Sequence, residues 1–161
     1  MRLRKDDEAL IAEHRELVRT AEGARSHAHA PYSEYAVGSA LLLSDGRVIP
    51  GSNVENASYG LTVCAERIAI FRWITETPPD ERAELSAIAV AAGPRGAAAS
   101  GGRPCGACLQ VIREFAADPV VLISDGDEVD RVRLSDLLPD PFVPPFGPGA
   151  PAATDPHRGR S

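Results

Sequence analysis

The sequence predicts one α/β domain, and three observations carry that expectation. Segments of helical period alternate with short apolar runs in the order α-β-β-α-β-α-β-β. Two Asp-Gly pairs, Asp45-Gly46 and Asp125-Gly126, each stand between two apolar runs. The composition, 161 residues at 43% hydrophobic and 25% charged, is that of one soluble globular domain. A chain of that size buries roughly 70% of its unfolded surface and needs no disulfide scaffold.

Leu10, Leu17, Val18 and Ala21 recur at helical spacing, so residues 7–25 read as an amphipathic first helix, with Gly23 and Pro31 as its stop signals. Val37–Leu43 and Arg47–Val54 read as a hairpin around Ser44-Asp45-Gly46, because glycine tolerates the positive φ of a tight turn. Thr62–Thr77 reads as a second helix, apolar on most sides and so largely buried, stopped by Pro78-Pro79. Leu85–Ala92 is a small apolar strand of the buried kind. A Gly/Ala-rich loop, 93–103, follows it.

Pro104 opens a third helix that runs to about Ala117. Val120–Ser124 and Glu128–Leu134 flank Asp125-Gly126, a turn too short to hold a crossover helix, so the last two strands are expected to be antiparallel. Residues 1–149 are expected to form the domain and 150–161 a disordered tail, since seven of the 14 prolines fall between Pro139 and Ser161.

The net charge of −6 makes long nucleic acid an unlikely partner class. No apolar run reaches the ~20 residues of a membrane span. The first eight residues are charged and lack the apolar segment of a secretory signal, so a reducing cytoplasm is the expected location.

Cys64, Cys105 and Cys108 are the only cysteines, an odd number that argues against structural disulfides. A structural zinc site wants four protein ligands. A redox Cys-x-x-Cys would leave Cys64 idle. A catalytic zinc site wants three ligands and an open position for water. The count fits the last, but His14, His27, His29 or His157 could supply a fourth ligand, so the count alone leaves the three readings open.

Placed in the first turns of the second and third helices, the cysteines would lie at two positive dipole ends, which favours the thiolate. Glu66, two residues after Cys64, can face the open position without being a ligand and move protons there. Arg67 can offset the net −1 of three thiolates on Zn²⁺. A solvated Glu-Arg pair is the ordinary alternative, set aside because the helix is too apolar to leave both in water.

These residues resemble the cytidine deaminase family, in its small homotetrameric form with three cysteine ligands. The resemblance rests on Cys64-Ala65-Glu66-Arg67 and Pro104-Cys105-Gly106-Ala107-Cys108, the ligand-x-Glu and Pro-Cys-x-x-Cys signature of zinc deaminases. It extends through Ala30-Pro31-Tyr32-Ser33, Val37-Gly38, the run from Asn53 to Thr62, and Leu137-Leu138-Pro139. It spans about His29 to Phe142.

The resemblance implies a three-layer α/β/α fold with a five-stranded mixed sheet. It implies one Zn²⁺ per subunit on Cys64, Cys105 and Cys108, with Glu66 as proton shuttle. Asn53 and Glu55 would bind the ribose hydroxyls, and the Ala65 amide the pyrimidine 2-carbonyl. Tyr35 would lie against the base, and Phe142 would stack on it across a subunit boundary. The implied activity is hydrolysis of cytidine, and of 2′-deoxycytidine, to the uridine nucleoside and ammonia in pyrimidine salvage.

Three positions depart from the family pattern. Ser52 replaces a Cys, Leu109 replaces an Arg and so removes positive charge near the zinc, and Phe142 precedes Val143 where a Gly is usual, with Phe146-Gly147 four residues later. They leave room for a deaminase of a modified cytosine nucleoside or of a cytosine-containing antibiotic such as blasticidin S. A non-catalytic zinc-stabilised module is the rival of a different class.

Overall fold

The computed structural model describes residues 1–6 and 12–144. Residues 7–11 of the expected first helix, with Leu10, lie outside the described residues. So do Phe146, His157 and the 150–161 tail.

Among the described residues six strands form one sheet. In chain order the elements are β1 (Arg2–Arg4), α1 (Ala12–Ala24), β2 (Tyr35–Leu43), β3 (Val48–Ser52), α2 (Ala65–Glu76), β4 (Leu85–Pro94), α3 (Gly106–Phe115), β5 (Val120–Asp125), β6 (Glu128–Arg133) and α4 (Leu134–Leu137). The sheet order is β1-β6-β5-β4-β2-β3, with β4 and β5 parallel and every other pair antiparallel. The antiparallel β5/β6 pair agrees with the short Asp125-Gly126 turn, where Gly126 adopts φ 59°.

The expected count of five strands is corrected to six. β1 pairs with β6 through Leu3 opposite Val129. Three residues, two of them arginine, show no readable alternation, and only Leu3 turns inward, at 7% exposure.

Strand alternation divides the core into two layers. Ala40, Leu42, Ala87, Ala89, Ala91 and Leu122 face Leu17, Val18 and Ala21 of α1. The alternate residues Leu41, Leu43, Ile88, Val121 and Ile123 face Ala69, Ile70 and Trp73 of α2, Leu109 and Ile112 of α3, and Leu134 of α4. Helices therefore cover both faces of the sheet, the three-layer arrangement expected.

Local boundaries differ in ways that matter to the site. The second helix begins at Ala65 and the third at Gly106, so Cys64 and Cys105 are helix caps in extended conformation and only Cys108 lies inside a first turn. Pro104 stands before the cap instead of opening the helix. α2 buries one face only: Ala65, Glu66, Ala69, Ile70 and Trp73 are buried, while Phe71 is exposed. Gly23 lies inside the last turn of α1, which runs on into a 3₁₀ turn at Arg25–His27.

Candidate active site

The N-terminal ends of α2 and α3 bring Cys64, Cys105 and Cys108 together. Their sulfurs lie within 4.8 Å of one another. Cys64 and Cys105 are 3.9 Å apart, and Cys105 and Cys108 3.4 Å. Tetrahedral zinc with Zn–S near 2.3 Å asks for sulfurs about 3.8 Å apart, so the donor set and its spacing fit the metal. Among the described residues no His, Asp or Glu joins the cluster as a fourth ligand.

Neither capping cysteine makes a side-chain capping bond. The first amides of both helices are thus left without the usual oxygen acceptor and stand beside sulfur. The neighbouring Cys108 thiol, with Arg67 beside it, draws the Cys64 pKa down to about 5. Cys108 is pushed up, by that same engagement with Cys64 and by burial.

Glu66 is 3% exposed. Burial raises its pKa, and the negative charge of Cys64 adds to the effect. Arg67 is half-buried. It donates to the Thr62 carbonyl at 3.1 Å and reaches the Cys64 sulfur at 3.9 Å, and its Nε is buried with no protein partner. The guanidinium is thus held against the sulfur cluster, which raises its own pKa through Cys64 against the opposing effect of burial.

A second group of side chains forms around the end of β3 and the start of β2. Asn53 is buried. It accepts the Val37 amide at 2.8 Å and donates to the Tyr35 carbonyl at 3.0 Å. Glu55 accepts the Tyr32 amide at 2.9 Å, the Ser33 amide and the Ser33 hydroxyl. The Ser33 hydroxyl in turn accepts the Tyr35 amide at 3.0 Å. The Ser33 hydroxyl and the Tyr32 amide hold the Glu55 carboxyl below its usual range.

A cavity of about 360 Å³ opens at Glu55, lined by Tyr32, Ser33, Tyr59 and Thr62. A larger groove of about 580 Å³, lined by residues of α1, β3 and α2 that include Ser52 and Arg72, contains none of the cysteines. The smaller cavity does not reach the cysteines either, but it holds the Glu55 carboxylate.

The expected residues therefore fall into two sets: Cys64, Cys105, Cys108, Glu66 and Arg67 at the helix ends, and Asn53, Glu55 and Tyr35 at the strand ends. Ala65 is the first residue of α2 and fully buried, so its amide has no acceptor within the helix. Phe142 is 70% exposed and touches neither set through a hydrogen bond.

Two of the three departures, Ser52 and Leu109, have structural explanations. The Ser52 hydroxyl donates to the Ala24 carbonyl at 2.6 Å and ties β3 to the end of α1. Leu109 is 6% exposed and packs with Ile112 and Ile123. Ser33 acts on the site through Glu55 and the Tyr35 amide, contacts that the sequence does not signal. Gln110, whose partner lies 32 residues away, left no signal in the sequence.

Comparison with known proteins agrees with this geometry. The family described as the cytidine and deoxycytidylate deaminase zinc-binding region matches residues 11–124. The chain is 45% identical over 130 residues to the cytidine deaminase of Halalkalibacterium halodurans, covering 79% of this chain and 92% of that protein. The crystal structure of cytidine deaminase from Burkholderia pseudomallei superposes with a TM-score of 0.68 at 44% identity, covering 80% of this chain and 98% of that one. That of the Mycobacterium tuberculosis enzyme gives 0.65 at 40% identity, covering 80% and 95%. With a family match over most of its length and relatives this similar across nearly their whole chains, the protein belongs to the cytidine and deoxycytidylate deaminase family.

Proposed function

We propose that this chain is a zinc-dependent cytidine deaminase, which hydrolyses cytidine and 2′-deoxycytidine to the uridine nucleoside and ammonia. The observation that carries the reading is a carboxylate, Glu66, buried at 3% exposure beside three thiols whose spacing fits one zinc ion.

Cys64, Cys105 and Cys108 would hold the metal. When bound, Zn²⁺ supplies Lewis-acid activation of the water that attacks C4 of the base. Glu66 takes a proton from that water and delivers it to N3, then carries a second proton, from the hydroxyl now on C4, to the amine as the C4–N bond breaks and ammonia leaves. Its raised affinity for protons, a consequence of burial, suits a group that must both accept and return them. Arg67 lies against Cys64 and offsets the surplus negative charge of the thiolates.

In this reading the Ala65 amide donates to the 2-carbonyl and orients the base. Tyr35 packs against the ring. Asn53 and Glu55 bind the ribose hydroxyls. Both already have partners in the protein, which fix their orientation before substrate arrives. Each keeps acceptor capacity, since a carboxylate oxygen and an amide oxygen take two bonds apiece.

Phe142 stacks on the base from a neighbouring copy in a homotetramer, and the enzyme works in the cytoplasm. Tyr32, Tyr59, Leu61 and Phe142 are large side chains at 51%, 74%, 66% and 70% exposure, and they supply apolar surface for contact between copies. Residues 1–149 form the catalytic unit in this reading.

The test is a substrate panel read by ammonia release, with cytidine, 2′-deoxycytidine, blasticidin S and ring-modified cytosine nucleosides. The reading expects turnover of the first two with kcat/KM well above the rest. Preference for the antibiotic would replace the substrate assignment while keeping the chemistry.

A further inference from the structure

The segment after α4 carries proline at 139, 141 and 144, and proline amides cannot donate. Among the described residues, 139–144 is tied to the rest of the fold by one pair of hydrogen bonds. Gln110 Nε2 donates to the Phe142 carbonyl at 2.9 Å, and the Phe142 amide donates to Gln110 Oε1 at 3.1 Å. One carboxamide thus occupies both main-chain groups of a single residue, as a neighbouring strand would. The backbone of Phe142 is fixed while its ring stays 70% exposed.

Gln110 lies on α3, two residues beyond Cys108. At about 100° per residue it is turned roughly 140–160° around the helix from Cys105, Cys108 and Ile112. The main chain it holds therefore runs along the flank of α3 away from this chain's own cysteines. A ring presented from that flank is exposed and turned away from this chain's own cysteines.

We infer that Gln110 is a positioning residue for nucleoside binding, holding the main chain of Phe142 at two points so that the ring is presented to the site of a neighbouring copy. This rests on the reading of Phe142 given above. The prolines already restrict the segment, so two hydrogen bonds suffice to set its direction. Without them the ring samples many orientations, and substrate binding must supply the ordering.

Gln110→Met keeps side-chain length and helix propensity and removes both bonds. The expected result is a KM for cytidine raised about tenfold, with kcat within about twofold of wild type. Zinc content and Tm stay unchanged. Phe142→Ala raises KM at least as far, and the double variant is no worse than Phe142→Ala alone, because Gln110 acts only through that ring. Gln110→Glu, whose carboxylate cannot donate to the Phe142 carbonyl, also raises KM.

An unchanged KM in Phe142→Ala overturns the reading of Phe142 itself. An unchanged KM in Gln110→Met beside a raised one in Phe142→Ala overturns the positioning role alone. Additive effects in the double variant, or loss of zinc in Gln110→Met, would show that Gln110 serves α3 and not the ring.

Discussion

Gly51 of β3 lies directly against Ala69 of α2: a Cβ at residue 51 would stand 2.5 Å from the Ala69 backbone nitrogen and 2.5 Å from the Ala65 carbonyl oxygen. The first two turns of α2, which carry Glu66 and follow the Cys64 cap, are seated on this glycine. Helix and strand come this close only because nothing projects between them. Gly51→Ala should push α2 outward, costing about 1–3 kcal/mol in urea unfolding and lowering kcat. An alanine variant with wild-type stability and rate would show that the close seating is dispensable.

Glu66→Gln should retain zinc and lose turnover by at least about 10²-fold, because an amide cannot take up a proton at neutral pH. Removing a buried carboxylate also removes its desolvation penalty, so Tm should stay level or rise. Metal analysis, kcat and a thermal melt on one preparation decide it. Substantial retained rate would mean the proton moves by another route.

Cys105→Ala should lose the metal and stability together. The zinc would join the ends of two helices, so its binding is coupled to folding. The expected fall in Tm is on the order of 10 °C, and a chelator should reproduce it in the wild type. One zinc per subunit with an unchanged melt would remove Cys105 from the ligand set.

Much of this arrangement was legible in the sequence because it is local. The ligand spacing Cys64-x-Glu66 and Cys105-x-x-Cys108 and the two Asp-Gly turns lie within a few residues each, and β2, β4 and β5 are long apolar runs. What was not legible depends on contacts between distant segments. β1 is recognisable only through its pairing with β6, more than a hundred residues on. The cap positions of Cys64 and Cys105 depend on where the chain turns into each helix, a boundary set by packing as well as by propensity; for α2 that packing includes the close seat on Gly51. Leu109 reads as missing charge in the sequence and as a core side chain in the fold.

Leu109 should matter for stability more than for charge. Its packing with Ile112 and Ile123 makes Leu109→Ala a cavity-forming change, with an expected loss of about 2–5 kcal/mol in urea unfolding. Zinc content should not change, since the side chain is not a ligand. A loss well under 1 kcal/mol would mean the site is not tightly packed.

Glu55 should make part of the acid sensitivity of the fold. Its folded-state pKa lies below its ordinary value of 4.5, through the Ser33 hydroxyl and the Tyr32 amide. The unfolded chain therefore binds that proton more readily. The stabilisation is complete above 4.5 and is lost as pH falls through the lower folded value. Glu55→Gln, which cannot ionise, should narrow the Tm difference between pH 7 and pH 3. It should also lower kcat/KM on cytidine by about 10- to 100-fold if the carboxylate binds ribose. Equal acid sensitivity in both proteins would remove Glu55 as a source.

The two outer strands of the sheet limit how copies of this chain can meet. β1 is three residues long, with Arg2 ion-paired to Asp125 and Glu128, and the opposite edge, β3, carries Pro50, which has no amide to offer. Short, charged or proline-bearing edges resist the addition of a further strand. A continuous sheet shared between copies is therefore disfavoured at both ends. In the homotetramer proposed above, contacts between copies would instead fall to the loops where Tyr59, Leu61 and Phe142 stand exposed, and Tyr59 also lines the Glu55 cavity, so closing such a contact would shape the mouth of that cavity.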